Sequence, residues 1–234
     1  MDQVFVNWSG GKDAALSLYR LLGSGTRKVG TLVTTVTAPV GRVSMHGVRE
    51  ELLRAQASSL GIPLRVVYLP EHCSLETYDA RMASEMNFLR AEGYTGAVFG
   101  DIFLEDLRRY REQRLESLGL QAVFPLWKEE SPGVARAFIR AGFRAVVCCV
   151  NAAVLDERFA GREYDESFLK DLPPGVDPAG ERGEFHTFVY DGPLFRHPVA
   201  YLKGEVVEKS YPPSGKSGGW DSRFFFCDLL PADR

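Results

Sequence analysis

The chain has 234 residues, of which 45% are hydrophobic and 25% are charged, a composition that excludes a disordered protein. Its formal net charge is -3 with acidic and basic residues interspersed, so there is no electrostatic reason to expect a nucleic-acid partner. No apolar run approaches the roughly 20 residues that cross a bilayer, and we find no secretion signal, so we expect a cytoplasmic protein with no membrane contact.

The four cysteines are Cys73, Cys148, Cys149 and Cys227, and they form neither a CxxC motif nor a metal-binding spacing. Two of them lie within the apolar run 145–150. We therefore expect reduced and mostly buried thiols, and a catalytic persulfide cysteine is the less favoured alternative.

The first predicted element is a short strand beginning at Val4. It ends in the run Ser9-Gly10-Gly11-Lys12-Asp13, which leads directly into helical spacing over Ala15–Leu22. Two adjacent glycines let the backbone approach a ligand closely, and a helix N-terminus presents free N–H groups and a positive dipole end. The pattern therefore predicts an anion-binding loop between a strand and a helix.

Three side chains in this loop suit a phosphate ligand. Ser9 supplies a hydroxyl, Lys12 a mobile positive charge, and Asp13 a carboxylate that can hold a magnesium ion bridging phosphates. The alternative is a plain turn in which Asp13 caps the helix.

Four strand–helix repeats and a closing strand follow one another up to residue 128. The predicted strands after the first are Val29–Val36, Leu64–Leu69, Gly96–Ile102 and Gln121–Trp127, and the helices after the first are Glu50–Leu60, Glu76–Glu92 and Leu104–Leu118. This order predicts an α/β fold, a Rossmann-like parallel sheet of five strands with helices on both faces. Short helices and closely spaced strands after residue 128 predict a smaller α+β domain, so we divide the chain into residues 1–128 and 129–234.

Polar residues at the carboxyl ends of parallel strands meet in one crevice. Thr34 ends the second predicted strand, and Gly100 and Asp101 end the fourth. Strand propensity for the threonine and helix capping by the aspartate are the alternatives. His46 and Arg49 precede a predicted helix, where positive charge opposes the helix dipole, so a bound anion would explain them, although exposed loop residues would look the same.

A glycine-rich segment over residues 175–195 leads into another predicted strand. It carries Glu181, Glu184 and His186, and the last two are spaced to share one face of a strand. Such a pair can serve as acid–base or substrate-orienting groups, and a merely polar strand face is the alternative.

Five runs in this order resemble those of the diphthine–ammonia ligase family of N-type PP-loop ATPases. The runs are Ser9-Gly10-Gly11-Lys12-Asp13, Val43-Ser44-Met45-His46-Gly47-Val48-Arg49, Gly100-Asp101-Ile102, Phe124-Pro125-Leu126-Trp127 and Gly180-Glu181-Arg182-Gly183-Glu184-Phe185-His186-Thr187-Phe188. The resemblance implies a HUP-type ATP-binding domain and a smaller domain that closes over a cleft. Many members carry serine after the loop aspartate where this chain has Ala14, so one phosphate-binding hydroxyl is missing or replaced by Ser9 or Ser17.

The resemblance also implies a reaction and a set of roles. ATP adenylates a carboxylate on the modified histidine, diphthine, of elongation factor 2, pyrophosphate leaves, and ammonia then displaces AMP. The implied pyrophosphate and magnesium site is Ser9, Gly10, Gly11, Lys12 and Asp13; the nucleotide pocket is Thr34, His46, Gly100 and Asp101; the acceptor side is Arg49, Glu181, Glu184 and His186. Lys12, Asp13, Glu184 and His186 would be the catalytic residues.

Several alternatives stay open at this stage. The protein could amidate another carboxylate, modify tRNA through the same ATP chemistry, or be an ATP-binding sensor without catalysis. The Gly- and Ser-rich stretch over residues 211–220 is a candidate lid that carries Lys216. A homodimer is one option for the oligomeric state.

Overall fold

The computed structural model describes residues 2–43, 46–210 and 223–232. Its first part contains β1 (Gln3–Asn7), α1 (Lys12–Ser24), β2 (Lys28–Thr37), β3 (Arg42–Val43), α2 (Glu50–Leu60), β4 (Leu64–Leu69), α3 (Leu75–Ala91), β5 (Gly96–Val98), α4 (Glu105–Glu116) and β6 (Gln121–Val123). Five strands pair in parallel in the order β4-β2-β1-β5-β6. This confirms the predicted five-stranded parallel sheet. The short β3, which pairs antiparallel to β2, is an addition that was not predicted.

Helices cover both faces of this sheet because the strands are apolar on both sides. In β1, Val4 and Val6 belong to a buried cluster with α1 and α2, whereas Phe5 lies on the other face with α3 and α4. All three side chains are fully buried. The alternation of a strand thus divides one apolar run between two hydrophobic layers.

The second part contains α5 (Ser131–Arg140), β7 (Arg144–Asn151), a 3₁₀ turn (Glu157–Phe159), α6 (Glu166–Asp171), β8 (Phe185–Asp191), β9 (Tyr201–Ser210) and β10 (Arg223–Pro231). Its four strands form an antiparallel sheet in the order β8-β7-β10-β9. Phenylalanine rings fill its interior, among them the fully buried Phe138, Phe168 and Phe188. This confirms the predicted α+β character of the second part.

The two parts share one hydrophobic cluster. Leu16 of α1 belongs to the same buried cluster as Val146 of β7 and Phe188 of β8. A backbone hydrogen bond of 2.9 Å from Val189 N–H to the Gly10 carbonyl also joins β8 to the first part. The antiparallel sheet therefore packs directly against the loop after β1. The domain boundary at residue 128 stays a prediction.

Some elements differ in length or exposure from the prediction. The strands β5 and β6 end at Val98 and Val123, several residues earlier than predicted. Pro125 has no N–H to donate to a ladder, which is consistent with the early end of β6. Helix α3 begins at Leu75, one residue earlier than predicted, and this leucine is 66% exposed in the first turn.

Two further points concern the predicted lid and membranes. Residues 211–220, with Lys216, lie outside the described residues. In the described ranges, no helix combines the length and apolarity that a membrane span requires.

Candidate active site

The strand order reverses between β1 and β5. The chain passes from β1 outward to β2 and β4, and then returns to the other side of β1 to form β5 and β6. Ligands of open parallel sheets bind in the crevice at such a switch point, beyond the carboxyl ends of the strands. A cleft of about 500 Å³ lies there. Predicted site residues that line it are Ser9, Gly11, Lys12, Asp13, Thr34, His46, Gly100, Asp101, Glu181 and His186.

Gly10 shapes the loop from behind the cleft. Its φ of +80° is the left-handed region that favours glycine, and its carbonyl accepts a hydrogen bond of 3.0 Å from Gln56 Nε2. The same amide accepts a hydrogen bond of 2.8 Å from Trp8 Nε1. The N-cap of α1 is Gly11, so the alternative in which Asp13 caps this helix is wrong.

Lys12 is a fixed charge rather than the mobile one that the sequence predicted. Its side chain is 5% exposed, and its Nζ lies 2.7 Å from Asp13 Oδ2 and also donates to the Ala179 carbonyl. Burial raises the pKa of the Asp13 carboxyl above its usual range, and the neighbouring Lys12 ammonium opposes this shift. The lysine therefore ties the first turn of α1 to the loop that precedes β8.

Asp101 lies on the opposite side of the cleft from β2. It is 7% exposed, and its Oδ2 lies 3.1 Å from Arg111 Nε of α4. Burial raises the pKa of the Asp101 carboxyl, against the lowering effect of Arg111. The N-cap of α4 is Leu104, so Asp101 does not cap that helix. It is a partly compensated carboxylate that faces the cleft.

Two histidine rings stack inside the cleft. The ring centroids of His46 and His186 are 4.3 Å apart with planes inclined by 28°. Burial and the charge of Lys12 lower the pKa of His46 to about 4, and burial lowers the pKa of His186 well below its usual range. Both rings are therefore neutral at neutral pH and can accept hydrogen bonds.

Glu181 reaches the cleft from the loop before β8. Its Oε1 accepts a hydrogen bond of 2.8 Å from the Ile102 N–H. Burial, with repulsion from the Asp13 and Asp101 carboxylates, raises the pKa of Glu181 to about 7. This carboxyl therefore titrates near neutral pH.

The raised pKa of Glu181 predicts a pH-dependent stability. The native state holds the proton more tightly than the unfolded state, so the contribution is present below the ordinary value of 4.5 and is lost as pH rises to about 7. Denaturant unfolding is measured at pH 4.5 and pH 7.5 for wild type and for Glu181→Gln, whose amide oxygen can still accept from the Ile102 N–H. Between these two pH values, the free energy of unfolding of wild type is expected to fall by about 2 kcal/mol more than that of the variant. Equal pH slopes for both proteins would contradict the assignment.

Glu184 differs from its prediction. Its carboxylate is 7% exposed and accepts backbone N–H groups from Asp177 at 3.2 Å and Arg182 at 3.0 Å. The strand begins only at Phe185, so strand alternation does not place Glu184 on the face of His186. It braces the loop that carries Glu181 and does not line the cleft.

Arg49 also lies outside the cleft. It is the N-cap residue of α2, and its Nη2 lies 2.7 Å from Asp228 Oδ2 on β10. Arg42 Nη1 approaches the other oxygen of the same carboxylate at 2.8 Å. The anion that compensates this arginine is therefore a side chain of the protein, not a bound ligand.

The pairing predicts that Asp228→Asn lowers stability and leaves the cleft intact. The two arginines hold the pKa of Asp228 at about 2, so their stabilisation is present above the ordinary value of 3.8 and is lost as pH falls toward 2. Because the groups are partly exposed, we expect a loss of about 1 kcal/mol at pH 7 in a urea titration. The KM for ATP should stay at the wild-type value. A large rise in KM would show that the Arg49–Asp228 pair contributes to the ATP site.

Other cleft residues were not predicted as site residues. They include Trp8, Tyr78, Met82, Phe99, Arg111 and Thr187. Tyr78 and Met82 lie on a stripe of α3 that has the spacing of a core face. The sequence pattern therefore does not indicate that these residues also line the cleft. Of the two hydroxyls predicted to replace a loop serine, Ser9 lines the cleft, whereas Ser17 is fully buried and lies 3.5 Å from the Phe99 carbonyl.

The cleft concentrates buried polar atoms that have no hydrogen-bond partner in the described residues. Two of them are Thr34 Oγ1 and His46 Nδ1, whose residues line the cleft, whereas Asp101 Oδ2 and Arg111 Nε form an ion pair with each other at 3.1 Å. Such atoms are costly unless a ligand or water satisfies them. Their shared location indicates a polar ligand in the cleft.

The donor set also fits a magnesium ion that is held together with a substrate. No group of three or more His, Cys, Asp or Glu side chains in the described ranges is placed to hold a metal alone. Mg²⁺ usually binds one or two carboxylates together with substrate phosphates. Asp13, at the N-terminus of α1, is a carboxylate of this kind.

Two family models match the chain. One described as diphthamide synthase N-terminal domain matches residues 2–122, and one described as diphthamide synthase C-terminal domain matches residues 131–211. A solved structure described as a predicted subunit of tRNA methyltransferase from Methanocaldococcus jannaschii aligns with a TM-score of 0.39 at 17% identity, over 79% of this chain and 89% of that chain.

Curated relatives carry a related description. The diphthine–ammonia ligase of Bos taurus is 32% identical over 113 residues, 46% of this chain and 42% of that protein. The one of Homo sapiens is 33% identical over 110 residues, 44% of this chain and 41% of that protein. The matches thus span less than half the length of these relatives. Because the two family models together cover most of residues 2–211, the chain belongs to the diphthamide synthase family, which confirms the resemblance found in its motifs.

Proposed function

We propose that the protein is an ATP-dependent carbon–nitrogen ligase. It would adenylate a carboxylate with release of pyrophosphate and then amidate that carboxylate with ammonia. The family membership and the names of the relatives support diphthine as the acceptor, and the motif resemblance implies that this diphthine belongs to elongation factor 2. Another carboxylate acceptor is the second candidate, because the matches cover less than half of each of these relatives.

The observation that carries this proposal is the make-up of the cleft. The positive N-terminus of α1 and the fixed charge of Lys12 lie at one end, where they favour an anion. Unpartnered polar atoms of Thr34 and His46 lie along the β2 side. A polyphosphate attached to a polar organic group would use both features.

The residues at the helix end suit departure of pyrophosphate. A free carboxylate is a poor electrophile, and transfer of AMP to it creates a good leaving group. Lys12 and the first-turn N–H groups would stabilise the charge that develops on pyrophosphate, without reorganising, because the lysine is already held by Asp13 and Ala179. When bound at Asp13, Mg²⁺ would supply further neutralisation of the phosphate oxygens.

Glu181 and the two stacked histidine rings suit the amidation step. The nitrogen of ammonia bonds to the carboxyl carbon, the bond from that carbon to the AMP oxygen breaks, and nitrogen must lose a proton. Glu181, whose pKa is about 7, is the carboxyl best matched to take that proton at neutral pH. The neutral rings of His46 and His186 can accept hydrogen bonds from the nucleophile.

The alternative of tRNA modification by sulfur transfer would need a reactive cysteine, and the cleft lacks one among the described residues. No cysteine is among the residues that line the cleft in the described chain. Cys148 and Cys149 are buried, and burial raises the pKa of both thiols, so they are protonated at neutral pH. The amide-forming reaction is therefore the better supported use of the cleft.

Phosphorus NMR of the ATP products tests the proposal. The protein is incubated with Mg²⁺, ammonium and an elongation factor 2 preparation halted at diphthine, beside a tube without the factor. We expect AMP and pyrophosphate only with the factor, and neither product with Asp13→Asn. AMP and pyrophosphate without the factor would support cleavage between the α and β phosphates but exclude this acceptor. Formation of ADP and phosphate would contradict the mechanism.

A further inference from the structure

Thr187 of β8 brings a hydroxyl to the N-terminus of α1. Its Oγ1 accepts a hydrogen bond of 3.0 Å from the Lys12 N–H, and the residue is 2% exposed. It lines the cleft together with Ser9 and Gly11. A side chain of the antiparallel sheet is therefore built into the loop that follows β1.

This hydroxyl has a hydrogen left to donate. A threonine hydroxyl carries one hydrogen and two acceptor lone pairs. In the described residues, the Lys12 N–H is the one hydrogen-bond partner of Thr187 Oγ1, and there the oxygen is the acceptor. The hydrogen is thus available to a group inside the cleft, and it is polarised by the positive helix end.

Ser9 shows the same arrangement on the other side of the loop. Its Oγ accepts a hydrogen bond of 3.3 Å from the Gly11 N–H and lines the cleft. Two hydroxyls, Ser9 and Thr187, therefore flank the first turn of α1 with hydrogens to donate. Ala14, which lines the cleft from the same turn, brings no hydroxyl of its own.

The surroundings favour an anion as the acceptor of these hydrogens. The first-turn N–H groups and the Lys12 ammonium are positive, and the Asp13 carboxylate of the same turn accepts hydrogen bonds from that ammonium at both oxygens. The buried Thr34 Oγ1, 3% exposed and without a partner, independently marks the cleft as a ligand site. We propose that Thr187 donates its hydroxyl hydrogen to the pyrophosphate portion of ATP, so that β8 completes the phosphate site.

This inference rests on the proposed function, and titration of the full chain with two probes tests it. Inorganic pyrophosphate with Mg²⁺ reports the phosphate end, and adenosine reports the rest of the cleft. Thr187→Val is expected to weaken pyrophosphate binding about tenfold or more while adenosine binding stays unchanged. Thr187→Ser, which keeps the hydroxyl, should stay close to wild type.

A second variant and a control make the test specific. Ala14→Ser added to Thr187→Val should recover most of the pyrophosphate affinity, because it restores a hydroxyl at the same helix turn. Thr31→Val is the matched control, since Thr31 is equally buried but donates to the Pro63 carbonyl away from the cleft.

Three outcomes decide the question. Unchanged pyrophosphate binding in Thr187→Val would overturn the inference. A parallel loss of adenosine and pyrophosphate binding with a lowered Tm, and no recovery by Ala14→Ser, would also overturn it and leave Thr187 a structural acceptor. If wild type binds neither ATP nor pyrophosphate, that result would instead overturn the proposed function.

Discussion

Replacing Lys12 with methionine is expected to reduce AMP formation at least a hundredfold and to lower the free energy of unfolding by about 3 kcal/mol. The lysine side chain is 5% exposed and its ammonium compensates Asp13 at 2.7 Å. Removal of this buried ammonium leaves the partly buried Asp13 carboxylate, 28% exposed, without its compensating charge, which is costly. The nearby Asp177 carboxylate adds repulsion on Asp13.

Urea unfolding and an AMP assay measure the two effects separately. The activity is measured where circular dichroism shows that the variant is still folded. Lys28→Met is the matched control, because Lys28 is exposed at the start of β2 and should tolerate the same change. Wild-type rates of AMP formation in Lys12→Met would contradict the role given to this charge.

Replacing Gly100 with alanine is expected to lower AMP formation more than tenfold and stability by about 2 kcal/mol. A Cβ at this position would lie 2.9 Å from the backbone carbon of Asp13 and 3.0 Å from the Ala14 nitrogen. Both atoms belong to the backbone of α1, so the first turn of the helix must move away from β5. The displacement would change the anion site without removing any of its side chains.

Gly23→Ala is the control for this substitution. Gly23 lies in α1, the helix that a Cβ on Gly100 would displace, and a Cβ on Gly23 itself meets no atom within 4 Å. Alanine at a compatible helical position should stabilise the protein by roughly 0.5–1 kcal/mol. The unfolding curves of the two variants should therefore move in opposite directions from wild type, and AMP formation should fall only in Gly100→Ala. Equal behaviour of the two variants would exclude a crowded contact at Gly100.

The parts of the site that could be predicted from sequence depend on local pattern. An apolar run before Gly10 and Gly11 predicts the strand, turn and helix. The shared edge of parallel strands predicts that Thr34 and Asp101 lie near that turn. Each of these inferences needs only neighbouring residues and the rule for the edge of a parallel sheet, and the cleft lining agrees with them.

The remainder depends on contacts between distant parts of the chain. Arg49 binds Asp228, 179 residues away, and nothing near Arg49 in sequence signals that partner. Thr187 stands in a motif that was recognised, but its contact with the Lys12 N–H spans 175 residues. Glu184 was misplaced because strand alternation was extended one residue before the strand begins. Tertiary packing therefore decides which members of a motif face the ligand.

Exchange of radiolabelled pyrophosphate into ATP tests the central claim, carboxylate adenylation in this cleft, most directly. The protein is incubated with ATP, Mg²⁺, labelled pyrophosphate and diphthine-bearing elongation factor 2, and ammonia is left out. Reversible formation of an acyl adenylate predicts label in ATP that requires the acceptor but not ammonia, and that is lost in Lys12→Met. The acceptor preparation is first shown to be amidated when ammonia is supplied. With that preparation, label that stays in pyrophosphate would contradict a reversible adenylate. Label that enters ATP without the acceptor would contradict activation of this carboxylate.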